Sequence, residues 1–413
     1  MASRQNQQST NPKSPFFYGY IVVAVSFCIL IVVYGVYNAF GVFLKPVLTD
    51  FGWTRAMTSG AFSLAWIVHG LLGIAWGRMN DTFGPRWTMT IAGFLMGLGY
   101  LLMSQISHLW HFYLLYGVVI GAGVSGGFVP LTSTIARWFT RKRTMMTGIA
   151  LSGTGMGGMI VPPVATLLIL NYDWRVSYAV LGAVVLVFVM LLAQFLKRDP
   201  DRSGQMPYGE DIKAEHDVKS TPSTLREAVR VSYFWTMFVM FFALGYCTFS
   251  IMVHIVPHAT DLGISDINAA NVLATIGAIG VVGRIVLGIA ADRIGNNNAF
   301  IVGFILMAVT LPWLVVSPDL WVFYLFAVIF GLASGGCIAS ESPLVAVVFG
   351  LGSHGLILGV LSSGFCLGAA AGPFVAGYLC DLTSNYQMAL LASTGVAILG
   401  LVMGLILRLA RKG

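Results

Sequence analysis

Charge is what this sequence lacks most. Only 9% of its 413 residues are Asp, Glu, Lys or Arg, whereas 57% are hydrophobic and the mean hydropathy is +0.83. A soluble domain carries about 25% charged residues, so this chain has too few charges to cover a surface that faces water. The composition therefore excludes an ordinary soluble enzyme, a disordered chain and a fibrous chain, and it leaves a polytopic membrane protein.

The features of metal and nucleotide sites are also missing. The five cysteines lie in apolar stretches and predict packed thiols, so they do not indicate a redox compartment; they are Cys28, Cys247, Cys337, Cys366 and Cys380. The glycine-rich stretches 117–127 and 153–158 lack the Gly-Lys-Ser/Thr of a phosphate loop and predict close helix packing instead. With no metal-ligand spacing and no nucleophile–base pair, we expect no metal, no cofactor and no enzyme activity.

Long apolar runs fill most of the chain. The first, from Tyr18 to Leu44, is too long for the core of a signal peptide, and it predicts a retained span. Further spans are predicted at 57–78, 87–106, 112–137, 145–170, 176–196, 233–260, 269–294, 298–316, 320–349, 356–380 and 386–409. The charged stretch 197–231 divides them. We predict an all-α membrane protein with a tail (1–17), a six-helix bundle (18–196), a linker (197–231), a second bundle (232–409) and a short tail (410–413).

The basic residues predict the orientation. If the N-terminus is cytoplasmic, 19 of the 23 lysines and arginines lie at cytoplasmic ends, Lys45, Arg55 and Arg175 lie outside, and Arg284 lies within a span. This asymmetry predicts a multi-pass protein of the cell (inner, plasma) membrane with both termini cytoplasmic. It also accounts for the net charge of +7 without a nucleic-acid partner.

The two halves repeat at an offset of 211 residues. Gly77-x-x-x-Asp81-x-x-Gly84 recurs as Gly288-x-x-x-Asp292-x-x-Gly295. At the same offset, Gly148, Gly153, Gly157 and Pro162 recur as Gly359, Gly364, Gly368 and Pro373. Parallel repeats of this kind are one transporter architecture, in which the substrate site lies at mid-depth between the halves.

These motifs resemble known families. The paired Gly-x-x-x-Asp-x-x-Gly loops resemble the signature of the major facilitator superfamily. Residues 138–153 resemble the fifth-span signature of the monocarboxylate transporters, and residues 40–45 with 51–53 resemble the end of their first span. Residues 283–288 resemble the eighth-span stretch that holds their carboxylate-binding arginine. The resemblance, which includes bacterial L-lactate transporters, implies a carrier of lactate, pyruvate and similar anions with a proton.

The chain departs from that family at two positions. Animal members have a lysine where Asn38 aligns and an aspartate where Gly280 aligns. The resemblance assigns proton handling to that pair, so it does not identify the proton-carrying group here.

Arg284 is the sharpest candidate for substrate binding. It precedes Asp292 by eight residues, which places it about 12 Å inside the boundary at the helical rise of ~1.5 Å per residue. An arginine at this depth is costly and rarely faces lipid, and its planar fork suits a carboxylate. The other substrate candidates are small or polar and have interhelical hydrogen bonding as the alternative: Asn38, Tyr34, Tyr37, Ser362, Ser363 and Cys366.

Three further groups within spans are candidates for proton coupling. His69 and His254 can titrate near neutral pH, with hydrogen bonding inside the bundle as the alternative. Glu341 is the one acid deep in a predicted span. Besides carrying a proton, it has two alternative roles, which are pairing with a basic group and lying at the cavity mouth.

The remaining charged candidates lie at the ends of the spans. Asp81 and Asp292 are predicted to pair with Arg86, Arg137 or Arg293, or to cap helix starts, and so to lock one gate. Lys45 lies at the predicted outer mouth, where it either steers anions or only snorkels.

The sequence thus predicts a secondary transporter that is expected to be a monomer. Its predicted partners are the lipid bilayer, a small monocarboxylate of the L-lactate and pyruvate class, and a proton. It would work by alternating access. The alternatives are an organic-anion exchanger of the oxalate–formate type and a sensor that does not transport. A dicarboxylate needs two cations, and only Arg284 is deep in a span, which favours one carboxylate.

Overall fold

The computed structural model describes residues 16–53, 55–209, 224–317 and 319–410. Most of the predicted N-terminal tail, the middle of the predicted linker and the last three residues lie outside the described residues, as does the Arg55 side chain.

Twelve long helices account for the described chain. The first six are α1 (Gly19–Phe51, interrupted at Ala39), α2 (Arg55–Phe83), α3 (Pro85–Met103), α4 (Leu109–Trp138), α5 (Arg143–Asn171) and α6 (Trp174–Ala193). The second six are α7 (Ser232–Asp261), α8 (Asp266–Ile294), α9 (Asn296–Val316), α10 (Leu320–Phe349), α11 (His354–Thr383) and α12 (Gln387–Ala410). The predicted all-α fold of twelve spans is confirmed. Short helical turns also occur at Asp201–Ser203 and Leu225–Ala228.

Eleven of these helices are long and apolar enough to cross a bilayer. The other is α3, which has 19 residues but begins with the polar turn around Arg86. It packs along α6, so it crosses the bundle with the others. The first helix continues to Phe51, beyond the predicted end at Leu44, because the chain leaves the helix only at Gly52, whose φ of 66° is left-handed.

Each set of six helices has its own core of buried apolar side chains. In the N-terminal half α1 packs on α5 and α3 on α6, and in the C-terminal half the equivalent pairs are α7 with α11 and α9 with α12. The halves meet along α2 with α11 and along α5 with α8. The packing therefore follows the sequence repeat, since α2 and α5 are equivalent to α8 and α11.

Two repeat glycines lie where the halves touch. A Cβ at Gly77 in α2 would clash with the carbonyl of Gly355 in α11, and one at Gly148 in α5 would clash with the carbonyl of Arg284 in α8. Small residues at such crossings allow backbones to approach closely. The glycines of the repeat therefore permit the contact that brings Arg284 against the N-terminal half.

The start of the linker folds back onto the N-terminal half. The Tyr208 carbonyl accepts hydrogen bonds from the N–H groups of Thr140 and Arg141, and the Tyr208 N–H donates to the Trp138 carbonyl. The Tyr208 ring lies against Phe17. We call the membrane side on which this segment lies the linker end, and the other side the opposite end.

Candidate substrate site and gate

Arg284 reaches from α8 to α5 in the other half. Its Nη1 donates hydrogen bonds to the Leu151 carbonyl and, at 2.5 Å, to the Thr154 hydroxyl. One turn earlier, the Ser152 hydroxyl lies 3.4 Å from the Val281 carbonyl. The guanidinium is therefore fixed at the interface between the halves.

No acid neutralises this arginine in the described part of the chain. The ion pairs found there involve other residues, and the Arg284 Nε is buried without a hydrogen-bond partner. Both hydrogen bonds use Nη1, so the edge of the guanidinium formed by Nε and Nη2 has no partner among the described residues. Two parallel bonds from such an edge are the usual way in which arginine binds a carboxylate.

Glu341 and Tyr34 lie near the same centre. Tyr34 lies within electrostatic range of Arg284, Glu341 and Cys366, so the four groups belong to the same region of the bundle. Glu341 is 2% exposed, and no hydrogen bond or ion pair to it is found among the described residues. It is thus a buried acid close to the site that does not pair with Arg284.

The three substrate-binding candidates of α1 lie in different surroundings in the structure. Tyr34 lies beside the His69 ring, 6.5 Å between centroids, and Asn38 is exposed next to Gly158 of α5. Tyr37 turns away from the centre, is 1% exposed and stacks on Phe62 inside the N-terminal half. The structure therefore brings Tyr34 to the centre and leaves Tyr37 in the bundle core.

His69 lies on the centre-facing side of α2. Its Nδ1 is buried with no hydrogen-bond partner, and its ring packs against Trp66 at 5.3 Å. Trp66 also contacts Phe249 of α7 edge to face at 5.1 Å, which joins the two halves. Sequence reasoning missed both aromatic residues, although the offset of 211 makes Phe249 the counterpart of Asn38.

The α11 candidates are brought to the same region in different ways. Cys366 lies against Gly70 of α2, where a glycine Cβ would be 3.1 Å from the cysteine Cβ. Ser362, one turn away, has a buried hydroxyl without a partner. Ser363 instead donates to the Val360 carbonyl of its own helix at 2.7 Å. The first two are thus better placed than Ser363 to bind a ligand.

His254 lies far from Arg284. Its Nε2 is 3.0 Å from the Pro373 carbonyl and its Nδ1 is 3.4 Å from the Tyr386 hydroxyl, so both nitrogens are engaged within the C-terminal half. It is 22 residues beyond Ser232, about 33 Å along α7 by the helical rise. The structure does not bring it to the central site.

Asp81 and Asp292 each cap a helix of the opposite half. Asp81 accepts from the N–H groups of Gly355 (3.1 Å) and Leu356 (2.9 Å) at the start of α11. Asp292 accepts in the same way from the N–H groups of Thr144 and Met145 in the first turn of α5. Negative charge is favourable at a helix N-terminus. These bonds close the linker end.

Of the predicted arginine partners, only Arg137 joins this gate. It pairs with Asp81 at 3.2 Å and with Asp199 at 3.4 Å, and it donates to the Leu351 carbonyl of the other half at 2.8 Å. Arg86 donates instead to the Gln194 side chain at 2.6 Å.

Two predicted charged residues have no ion pair in the described part of the chain. Arg293 is exposed next to Asp292, whose carboxylate faces α5 instead. Lys45 is exposed on α1, at the opposite end, where Asp50 and Arg175 form a separate ion pair at 3.1 Å. The position of Lys45 agrees with either steering or snorkelling.

Comparison with known proteins decides the family. The model of the Major Facilitator Superfamily matches residues 26–309 and 258–413. The chain belongs to the Major Facilitator Superfamily. Its members are transporters of small molecules, so the chain is a multi-pass membrane transporter and not an enzyme.

Within the superfamily, the chain is similar to proteins named as monocarboxylate transporters. It is 28% identical to monocarboxylate transporter 11 of Homo sapiens over 406 residues, covering 93% of this chain and 81% of that protein. It is also 28% identical to monocarboxylate transporter 13 of Bos taurus over 394 residues, covering 92% and 89%. The predicted resemblance to this group is confirmed.

Solved structures show the same fold at lower identity. The fucose transporter FucP in its outward conformation matches with a TM-score of 0.72 and 14% identity, covering 94% of this chain and 99% of that one. The proton:xylose symporter XylE matches with a TM-score of 0.71 and 14% identity, covering 93% and 94%. At such identity the likeness supports the fold alone.

Proposed function

We propose that this transporter moves a small monocarboxylate of the L-lactate and pyruvate class together with a proton, by alternating access. The observation that carries the proposal is the free edge of the Arg284 guanidinium. Nη1 is held by Leu151 and Thr154, while Nε is buried without a partner. A carboxylate that bound this edge would gain two charge-assisted hydrogen bonds and would satisfy a buried donor.

The position of Arg284 also supports alternating access. The arginine belongs to the C-terminal half, but its hydrogen bonds go to the N-terminal half, so both halves define the site. At the linker end the halves are closed by Asp81, Asp292 and Arg137. In the transport cycle we propose, this end and the opposite end open in turn around the bound anion, in the way that carriers with parallel repeats operate.

Proton coupling follows from electrostatics. An anion that enters a cell against a negative interior is opposed by about 2.3 kcal/mol per charge per 100 mV, and one proton carried with it removes that cost. Of the three candidates for proton coupling, Glu341 and His69 lie near the centre, and His254 is engaged elsewhere. The proton either binds one of these residues or occupies the cavity beside Arg284 together with the anion.

The two alternative functions, an exchanger and a sensor, make different demands on the site. An exchanger for a dicarboxylate of the oxalate type needs a second cation, and the described residues around Arg284 supply only acidic, neutral and aromatic groups. A sensor on the same fold would bind the acid without moving it. Similarity to monocarboxylate transporters favours the carrier over both.

Uptake into proteoliposomes separates these functions. Purified protein is reconstituted and loaded at one pH, and radiolabelled L-lactate is supplied at a lower external pH, with pyruvate, formate and oxalate as competitors. The proposal predicts uptake that a pH gradient drives and that pyruvate inhibits. Uptake that needs internal oxalate or formate would indicate the exchanger. Binding without uptake would indicate the sensor.

A further inference from the structure

One contact joins the two halves above Arg284. Trp66 of α2 and Phe249 of α7 meet edge to face, with 5.1 Å between their ring centroids. The hydrogen bonds between the halves described above lie closer to the linker end, at the Asp81 and Asp292 caps and at Arg284. The aromatic pair is thus a contact of different chemistry at a different depth.

The helical rise places this pair beyond Arg284 as seen from the linker end. Trp66 is 15 residues from Asp81, and Phe249 is 17 residues from Ser232, which gives depths of about 22 and 25 Å at ~1.5 Å per residue. Arg284 is eight residues from Asp292, about 12 Å by the same rise. An anion that approaches Arg284 from the opposite end therefore has to pass the level of the aromatic pair.

Each ring is supported within its own half. Trp66 packs against His69 at 5.3 Å and against Tyr37 at 6.1 Å. Phe249 lies edge to face with Phe365 of α11 at 6.1 Å. The two rings therefore move with their halves, and rocking of the halves separates or joins them without breaking a hydrogen bond.

The repeat does not duplicate this contact. At the offset of 211 residues the counterpart of Trp66 is Gly277, whose Cβ position has no neighbour within 4 Å, and the counterpart of Phe249 is Asn38, which is exposed. The bulky rings thus stand on one side of the two-fold axis and small or polar residues on the other. The aromatic rings therefore narrow the space between the halves on their own side of the axis.

We propose that Trp66 and Phe249 form an aromatic gate that closes the opposite end of the central site and limits the size of the acid that reaches Arg284. The gate excludes acids with large side groups, while a three-carbon acid passes when the rings separate. The size limit rests on the proposed function, because it concerns the acid that is carried. The gate itself does not.

The native Cys366 allows the gate to be tested without a transport measurement. Cys366 lies beside Gly70, one turn below Trp66 and on the Arg284 side of the pair. The probe is a membrane-impermeant methanethiosulfonate reagent, applied from each face of the membrane to a variant that keeps Cys366 as its only cysteine. Trp66→Ala and Phe249→Ala should each speed labelling from the opposite end by up to about tenfold, the shift expected from loss of one aromatic pair.

Trp321→Ala is the matched control, because Trp321 is 66% exposed at the start of α10 and lies outside the gate. It should leave the labelling rate unchanged. Retention of a monodisperse species in detergent checks that each variant is folded. Equal labelling rates in wild type, Trp66→Ala and Phe249→Ala would overturn the gate.

Transport then tests the size limit. The two gate variants should take up phenylpyruvate at least as fast as pyruvate, whereas the parent protein prefers pyruvate. If labelling is faster but the preference is unchanged, the gate stands and its role in size selection is overturned. If the parent protein moves no monocarboxylate, the proposed function fails, while the labelling result still decides whether the gate exists.

Discussion

The Asp292 carboxylate accepts a 2.8 Å hydrogen bond from the Thr144 N–H, across the boundary between the two halves. The Met145 N–H donates to the same carboxylate at 3.0 Å. Asp81 is bound in the same way to Gly355 and Leu356, which lie 211 residues after Thr144 and Met145. Each half thus contributes one carboxylate and one helix start to the closed linker end.

Loss of either carboxylate should weaken this end. An asparagine keeps an oxygen acceptor but not the negative charge, which is worth about 0.3–1 kcal/mol at a helix N-terminus. We expect Asp81→Asn to favour the state that is open at the linker end. Crosslinking of a Thr144→Cys, Asn296→Cys pair measures this, since the native side chains are 2.7 Å apart and belong to the other cap. Arg86→Ala is the control, and unchanged crosslinking in Asp81→Asn would refute the prediction.

Arg137 should matter more than Arg293. Arg137 bridges Asp81, Asp199 and the Leu351 carbonyl of the other half, whereas Arg293 is exposed. Arg137→Gln should therefore slow transport severalfold, and Arg293→Gln should leave it near the parent rate. Initial rates of uptake at equal protein density provide the comparison. Equal losses in both variants would show that general surface charge is responsible, and not the bridge.

The contact between α2 and α11 at Gly77 should not accommodate a larger residue. Gly77→Ala places a Cβ against the Gly355 carbonyl, so α2 and α11 must move apart and the linker end should loosen. Gly41→Ala is the control, because the Cβ position of Gly41 has no neighbour within 4 Å. Gly77→Ala should lower the Tm in detergent and slow uptake, whereas Gly41→Ala should change neither. Parent-like behaviour of Gly77→Ala would contradict the close approach of the two helices.

The proton carrier can be sought by substitution. We expect uptake driven by a pH gradient to persist in His69→Gln, His254→Gln and Glu341→Gln, because anion and proton can share the cavity beside Arg284. The measurement is lactate uptake driven by external acidification, compared with lactate–lactate exchange in the same vesicles. A variant that still exchanges but no longer responds to the gradient would identify its residue as the carrier and remove the shared-cavity hypothesis.

Sequence reasoning predicted the features that depend on composition and on the repeat. Low charge and long apolar runs gave the twelve helices, and the offset of 211 gave the equivalence of Asp81 and Asp292. It could not show that each carboxylate caps a helix of the other half, because that bond depends on how the halves pack. The same limit applies to Arg284. Its depth could be calculated from the residue spacing, but its partners Leu151 and Thr154 could not be predicted.

The sequence was a poorer guide to which residues of one helix face the central site. Tyr34 and Tyr37 are three residues apart on α1, and hydrophobic patterning does not tell which of them faces the centre when every side of the helix is apolar. Packing decides it, because Phe62 stacks on Tyr37. Trp66 and Phe249 were missed for a related reason, since large aromatic residues are ordinary in spans and only the tertiary contact distinguishes them.

Binding at Arg284 is the central claim, and ligand-induced stabilisation tests it most directly. A ligand present at a hundred times its Kd stabilises the folded protein by about 2.7 kcal/mol, so saturating L-lactate should raise the Tm of the purified transporter. The neutral analogue lactamide should not. Arg284→Lys keeps the positive charge but loses the planar edge, so it should lose most of the stabilisation by L-lactate. Equal stabilisation of Arg284→Lys and the parent protein, or equal stabilisation by lactamide and L-lactate, would contradict the assignment of Arg284 as the carboxylate-binding residue.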